Sequence, residues 1–174
     1  MKAGEFMKLK YNISAFVFIG IFGALSHFVY EWSGNNIFLG YFFPINESTF
    51  EHLKMIFFPP LIYFIIEFFV SKYKRKNYFP AVLIGLLYGI ISIITLFYTA
   101  KGVLGYTNEF INISIYYIAL LVLLFKKDKY LKSDFLDSNA AFAVSLILIS
   151  VISVSIVLWT YNPPNLNLFT DPTI

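Results

Sequence analysis

The residues that could carry chemistry form two short blocks in the first third of the chain. His27 and Glu31 are four residues apart, and Glu47, Glu51 and His52 follow in the second block. Imidazole and carboxylate groups bind divalent metals such as zinc, and such a site can keep one coordination position open for water. Without a metal, the same kinds of group act as general acids and bases. All five are therefore candidate metal ligands, and His27, Glu31 and His52 are candidate catalytic residues.

The composition places these residues in a membrane protein. Of the 174 residues, 59% are hydrophobic and 13% are charged, whereas an average soluble domain has about 25% charged residues. A soluble chain of this length could not bury so much apolar surface. A soluble enzyme, a nucleic-acid-binding domain and a disordered chain are therefore excluded. The absence of cysteine also excludes disulfides, thiolate metal sites and cysteine nucleophiles.

Five apolar segments are long enough to cross a bilayer as helices, which need about 20 residues each. They cover residues 14–32, 53–71, 79–100, 110–125 and 140–161. The fourth is short and must begin a few residues earlier in order to span. A further apolar piece, residues 37–43, is too short to cross and is predicted to be interfacial or re-entrant. The predicted fold is an all-α membrane bundle of five transmembrane helices with this short additional segment.

The basic residues predict the orientation of this bundle. Eleven of the 13 Lys and Arg residues lie at the N-terminus, between spans two and three, or between spans four and five. These regions share one side of the membrane, and only Lys54 and Lys101 fall on the other. Because basic residues are retained in the cytoplasm, the N-terminus is predicted to be cytoplasmic and the C-terminus to lie outside. Both histidines then belong to the outer side.

Composition also divides the chain into three parts. Residues 1–6 precede a second methionine and contain Glu-Phe, which a common restriction site encodes, so they are interpreted as a cloning scar. Residues 7–161 form a single transmembrane helical domain, and residues 162–174 form a Pro-rich tail outside the membrane. The richness in Phe, Ile, Tyr, Asn and Lys is typical of AT-rich codons. It predicts the plasma membrane of a low-GC bacterium as the location.

The spacing of small residues predicts where the first block points. Gly20, Ala24, His27 and Glu31 are separated by four, three and four residues, so they share one helix face. Small residues at this spacing let helix backbones approach closely. His27 and Glu31 are therefore expected to face a neighbouring helix rather than lipid. They should converge with His52 on one pocket, with Glu47 or Glu51 as a further wall.

The second block is predicted to begin the second membrane helix. Ser48 and Glu51 fit a capping box, in which the serine caps the helix start and the glutamate side chain reaches back to the serine. A capping glutamate needs no further role, whereas His52 has no capping role. Pro59 and Pro60 lie inside the apolar run and are expected to kink the helix.

Three other acidic residues have simpler explanations. Glu67 is expected to pair with Lys72 or to extend its carboxylate towards the membrane surface, with proton relay as the alternative. Glu109 fits an ordinary helix start, and Asp171 in the tail is expected to be solvated.

A second pair of small residues, Gly85 and Gly89, lies in the third span and predicts another close helix contact. The serines of the fifth span are expected to bond either to a neighbouring helix or back to their own helix.

Three segments resemble an uncharacterised family of small bacterial multi-pass membrane proteins. They are HFVYEWSG at residues 27–34, PINESTFEHLK at residues 44–54, and a tail that contains YNPP at residues 161–164 and DP at residues 171–172. The resemblance covers nearly the whole chain, and its most specific residues lie within 27–54. That family has no assigned activity, so the resemblance implies a fold and no reaction.

Three functions remain open. The first is an enzyme that acts on a lipid or membrane-associated substrate through a divalent metal such as zinc or through acid–base catalysis. The second is a subunit that binds or transports a small solute, ion or lipid, as a homo-oligomer or in a larger membrane complex. No HExxH or GxSxG motif supports the first, and no internal repeat supports an inverted-repeat transporter. The third is a structural or regulatory membrane protein; a purely structural His–Glu cluster would show tight hydrogen bonds and no cavity.

Overall fold

The computed structural model describes residues 3–71 and 75–171, with side chains from Asn12 onward. The described residues form six α-helices and one 3-10 helix. The α-helices are α1 (Ala3–Trp32), α2 (Ile37–Gly40), α3 (Thr49–Val70), α4 (Tyr78–Leu104), α5 (Glu109–Leu131) and α6 (Asn139–Tyr161). The 3-10 helix covers Asn167–Phe169. No β-strand occurs within these residues, so the predicted all-α fold is confirmed.

Five of the described helices are long and apolar enough to cross a membrane. They are α1 from Asn12 to Trp32, α3, α4, α5 and α6. Their number agrees with the five segments predicted from hydropathy, as expected of a multi-pass membrane protein. The short α2 lies in the segment predicted to be interfacial or re-entrant.

Helix ends differ from the apolar segments where polar residues extend a helix. α3 begins at Thr49, before the apolar run, because the Ser48 hydroxyl accepts a hydrogen bond from the Glu51 backbone N–H at 3.3 Å. α5 continues to Leu131, beyond the apolar run, because lysine is a good helix former. The interpretation of Lys127 as a loop residue is therefore wrong, since it lies inside α5 and is buried.

Three helices meet closely around Gly23 of α1. A Cβ atom on Gly23 would lie 1.9 Å from the Tyr116 hydroxyl of α5 and 3.3 Å from the Met55 carbonyl oxygen of α3. The Tyr116 hydroxyl donates a 2.7 Å hydrogen bond to the Ile19 carbonyl of α1. The Met55 carbonyl has no usual helical donor because Pro59 lacks an N–H. α3 nevertheless remains one continuous helix through both prolines.

The contact between α4 and α5 depends on a pair of glycines, as their spacing predicted. A Cβ atom on Gly85 would lie 3.0 Å from the Leu123 carbonyl oxygen, and one on Gly89 would lie 3.1 Å from the Leu123 side chain. An added Cβ at either position would be closer to its neighbours than ordinary packing allows, so those neighbours would have to shift slightly. The serines of α6, by contrast, bond back to carbonyls of their own helix.

A buried ion pair joins α3, α4 and α5 at the end of the bundle opposite His27. The Glu67 carboxylate accepts a 2.5 Å hydrogen bond from the Lys127 ammonium and a 2.8 Å bond from the Tyr78 hydroxyl. The side chains of Glu67 and Lys127 are only 8% and 3% exposed. The Glu67 carboxylate is therefore buried in the bundle and does not extend to the membrane surface, while Lys72, the other predicted partner, lies outside the described residues. The sequence missed Lys127 because α5 was predicted to end before it.

The connection before α4 is fastened to the end of α5. Asn77 donates from its side-chain amide to three carbonyls there, the closest being Ser133 at 2.6 Å. Arg75 bonds Asp134 at 2.8 Å and Asp137 at 3.1 Å. These hydrogen bonds, that to Asp137 first and then that to Asp134, raise the pKa of Arg75 above its ordinary value. The contacts give the α5 carbonyls the donors that a helix end otherwise lacks.

The segment between α1 and α3 is held by a buried lysine. The Lys54 ammonium donates to the carbonyls of Gly40 at 2.8 Å and Phe43 at 3.4 Å, and pairs with Glu51 at 2.6 Å. The Asn36 side chain caps the other end of α2 by accepting from the Phe38 N–H. Lys54, which the sequence counted as one of two basic residues at the outer surface, is thus an internal anchor.

We predict that Gly23→Ala lowers stability while Gly102→Ala does not. The new methyl group at Gly23 must displace the Tyr116 hydroxyl, which should cost about 1–3 kcal/mol of unfolding free energy. A methyl group on Gly102 of α4 would meet no atom within 4 Å beyond its own stretch of helix, so alanine should be neutral or stabilising by up to about 1 kcal/mol. Unfolding by SDS titration in mixed micelles measures both. Equal effects would contradict the close contact at Gly23.

We also predict strong coupling between Glu67 and Lys127. Glu67→Leu or Lys127→Met alone leaves the other charge buried without its partner, which should lower the free energy of unfolding by about 3–5 kcal/mol. The double variant removes both charges and should cost clearly less than the two single losses added together. Additive losses in the same SDS titration would show that the pair is not energetically linked.

Candidate metal centre

The first turn of α3 fixes His52. Its Nδ1 lies 2.9 Å from the Ser48 carbonyl oxygen, which is one turn earlier and can only accept a hydrogen bond. Nδ1 therefore carries the hydrogen, and in the neutral ring Nε2 presents its lone pair. Metal-binding histidines commonly have their second nitrogen oriented by a carbonyl in this way.

Glu47 lies between the two histidines and contacts both. Its Oε1 is 3.2 Å from His27 Nε2, and its Oε2 is 3.5 Å from His52 Nε2. The two rings stack with centroids 5.2 Å apart and planes inclined by 30°. The carboxylate is 45% exposed, while the two imidazoles are about half as exposed, at 24% and 23%. The group is thus open to solvent on the Glu47 side.

The C-terminal tail helps to hold Glu47 in this position. The Asp171 carboxylate accepts a 3.2 Å hydrogen bond from the Glu47 backbone N–H. Phe169 of the 3-10 helix packs on Phe50 of α3 with ring centroids 4.3 Å apart. The expectation that Asp171 is simply solvated is therefore wrong. The sequence did not reveal this contact because it joins residues 124 positions apart.

The three side chains have the separations of a metal site. One ligand atom from each of His27, Glu47 and His52 lies within 4.8 Å of the others. Two ligand atoms bound about 2.1 Å from a tetrahedral zinc ion are about 3.4 Å apart. Each histidine Nε2 lies at a comparable distance from one Glu47 oxygen, His27 at 3.2 Å from Oε1 and His52 at 3.5 Å from Oε2, so both carboxylate oxygens face the position of an ion. Two histidines and one glutamate also form a known catalytic zinc ligand set, which leaves a fourth position for water.

The electrostatics of the group favour a bound cation. The Nε2 lone pair of neutral His52 faces the Glu47 carboxylate, and two hydrogen-bond acceptors do not attract each other. A proton or a metal ion between them removes this conflict. The His27 Nδ1 atom is buried and has no hydrogen-bond partner among the described residues, so His27 lacks the second anchor that His52 has.

Glu51, predicted as a ligand, is not part of this group. Its carboxylate accepts 2.6 and 2.9 Å hydrogen bonds from the Lys54 ammonium and the Ile45 backbone N–H, and the side chain is only 2% exposed. The capping box is therefore half correct. Ser48 caps α3, but Glu51 reaches back beyond it to Ile45, and the Ser48 N–H bonds the Asn46 side chain instead. Glu51 is used structurally because a lysine lies one turn away.

Glu31 is exposed and lies at the rim rather than among the ligand atoms. The buried face of α1 is centred on Ile19, Gly23 and Ser26, not on the predicted stripe. At about 100° per residue, Glu31 points roughly 120° away from Ile19 while His27 points roughly 80° away. His27 thus reaches the edge of the interface and Glu31 does not.

Two cavities adjoin Glu47. Sequence analysis had assigned no functional role to Glu109 or Asn112, which line them. One, of about 220 Å³, is lined by polar groups that include His27, Glu31 and Glu109. The other, of about 200 Å³, lies between α3, α4 and α5 and is lined by His52, Glu109 and Asn112 among others. Glu109 begins α5 as predicted, yet it borders both spaces. The sequence did indicate that Glu109 lies at the same end of the bundle as both histidines, and this was the signal that could have identified it as a site residue.

Comparisons with known proteins place the chain in a family without assigning it a reaction. No curated protein and no solved structure matches the chain. A family model described as a family of unknown function, DUF6512, matches residues 1–174, which confirms the resemblance to an uncharacterised family. The chain therefore belongs to DUF6512.

Proposed function

We propose that this protein is a membrane-embedded enzyme that uses a divalent metal such as zinc, held by His27, Glu47 and His52. One observation carries the proposal: a carboxylate bridges two stacked imidazoles, at 3.2 and 3.5 Å, and one of those imidazoles has its lone pair directed at it. A divalent cation satisfies all three groups together, whereas without one the His52 contact needs an added proton on Nε2 and the His27 contact needs the Nε2–H tautomer.

The chemistry that fits this centre is hydrolysis of a lipid or membrane-associated substrate. His27, Glu47 and His52 would hold the metal and leave a position for water, and the metal would supply the Lewis acidity that makes such a water a nucleophile near neutral pH. Glu109 borders both spaces beside Glu47 and is exposed, so it is our candidate for the base that accepts the water proton.

A purely structural cluster fits the same contacts less well. A brace should have short His–Glu hydrogen bonds and no adjoining space, because buried polar groups are stable when fully paired. Here the His52 contact is 3.5 Å long, His27 Nδ1 is unpaired within the described chain, and spaces of about 200 and 220 Å³ flank the carboxylate. These features support a site that receives a ligand.

We further propose that the centre faces the outside of a bacterial plasma membrane. The distribution of Lys and Arg supports a cytoplasmic N-terminus, and five spans then put the His27 end of α1 and the tail on the outer side.

Metal analysis of the purified full-length chain tests the function. We expect about one equivalent of zinc after reconstitution, and an affinity at least about 100-fold weaker in His27→Ala, Glu47→Ala and His52→Ala. Glu31→Gln is the matched control, because Glu31 lies beside His27 in the same space but outside the ligand atoms. Equilibrium dialysis with elemental analysis gives the affinities.

The control decides between two assignments of the ligands. Retained zinc in Glu31→Gln with loss in the other three variants supports the proposed set. Loss of zinc in Glu31→Gln together with retention in Glu47→Ala would instead identify Glu31 as the carboxylate ligand, as the helix spacing predicted. Unchanged zinc binding in all the variants would refute the centre.

Cysteine labelling tests the orientation, because the chain has no cysteine of its own. Asn165→Cys, in the exposed tail, should react in intact cells with a thiol reagent that does not cross membranes. Lys76→Cys, exposed in the connection between α3 and α4, should react only after the cells are opened. The reverse pattern would put the metal centre on the cytoplasmic side.

A further inference from the structure

The space between α3, α4 and α5 begins at the metal centre and extends into the bundle. It is lined by His52 at one end and holds about 200 Å³, less than the roughly 300–1,000 Å³ of sites for drug-sized ligands. A folded or branched molecule of that size would not fit, but a narrow segment of a molecule would.

The lining of this cavity changes from polar to apolar with depth. On α3 it runs from Thr49 past His52 to Met55, which lies about 9 Å along the helix from Thr49. The inner wall is completed by Ile93 on α4 and Ile115 on α5, both buried. A water-soluble solute would not satisfy this inner wall, whereas an alkyl chain would.

One polar group remains unpaired partway along the same cavity. The Asn112 side chain lies one turn into α5, and its Oδ1 is buried without a hydrogen-bond partner among the described residues. An orphaned buried acceptor costs about 1–3 kcal/mol. A ligand that places an N–H or O–H group between the metal centre and the apolar wall would supply the missing donor.

We propose that the cavity binds the single alkyl chain of an amphiphilic substrate, and that Asn112 accepts a hydrogen bond from an amide or hydroxyl group next to that chain. This inference rests on the proposed function, since the polar end of the same molecule reaches the metal. It names the substrate class as a single-chain lipid amide or hydroxylated lipid. Asn112 is then a specificity residue and not a catalytic one.

A series of n-alkyl hydroxamates tests the inference, because the hydroxamate binds zinc and carries N–H and O–H donors. Affinity for the zinc-loaded full-length chain should rise about two- to fourfold for each methylene from acetohydroxamate to octanohydroxamate. Ile93→Trp fills the inner wall and should abolish this gain without changing acetohydroxamate binding. Ile113→Trp, at an exposed position of α5, is the matched control and should behave as the wild type. Partition into detergent is the same for every variant.

Two further arms keep the result independent of folding and of the metal. Phe97→Trp obstructs the same cavity from a second position, and the zinc content and thermal stability of each variant show that it is folded. Octanamide, tested on metal-free protein, should bind the wild type and bind Ile93→Trp and Asn112→Leu at least tenfold more weakly. Octanamide binding tests the cavity independently of the metal. A failure to bind zinc would refute the proposed function but would leave this test of the cavity valid. A chain-length gain that survives in Ile93→Trp and Phe97→Trp, or equal octanamide binding in all variants, would overturn the inference.

Discussion

The buried ammonium of Lys54 is the constraint on which the geometry of the candidate centre depends. It is fully buried, and an unpaired charge there would cost several kcal/mol. The segment between α1 and α3 must therefore bring the Gly40 and Phe43 carbonyls to it, and Glu51 must supply the countercharge. Once those contacts are made, only residues 44–47 connect Phe43 to Ser48, and Glu47 is the last of them, beside the histidines.

The burial of Lys54 also gives Glu51 and Glu47 different roles. Glu51 and Glu47 are only four residues apart, but Glu51 neutralises a lysine in the interior while Glu47 remains 45% exposed beside two imidazoles. The internal pair is closed and needs no ligand. The Glu47 group has a negative charge, at least one nitrogen lone pair and adjoining space, and these are the properties of a site that takes up a cation. The tail adds a further tie through Asp171.

Sequence patterns predicted the parts of the fold that depend on local physics. The five spans follow from hydropathy over about 20 residues, the start of α3 from the Ser48 cap, and the contact between α4 and α5 from the spacing of Gly85 and Gly89. The approach of His27 to His52 also followed, because a short connection keeps consecutive helices close.

The remaining features depend on contacts that are distant in sequence or on a few tens of degrees of helix rotation. The choice of Glu47 over Glu31 required the direction of the buried face of α1, which its small residues indicated only approximately. Lys127, the partner of Glu67, lies 60 residues away, in the part of α5 that continues beyond its apolar segment. The contact of Asp171 with Glu47 joins the tail to the α1–α3 connection, and no periodicity in either segment encodes it.

X-ray absorption at the zinc edge of the reconstituted full-length chain tests the metal centre most directly, since it reports the atoms bound to the ion. The centre predicts nitrogen and oxygen ligands at about 2.0–2.2 Å with the outer-shell scattering of two imidazole rings. The imidazole signal should fall by half in His27→Ala and in His52→Ala and stay unchanged in Glu31→Gln. A shell of oxygen atoms without imidazole scattering, or a signal that neither histidine variant alters, would contradict the centre.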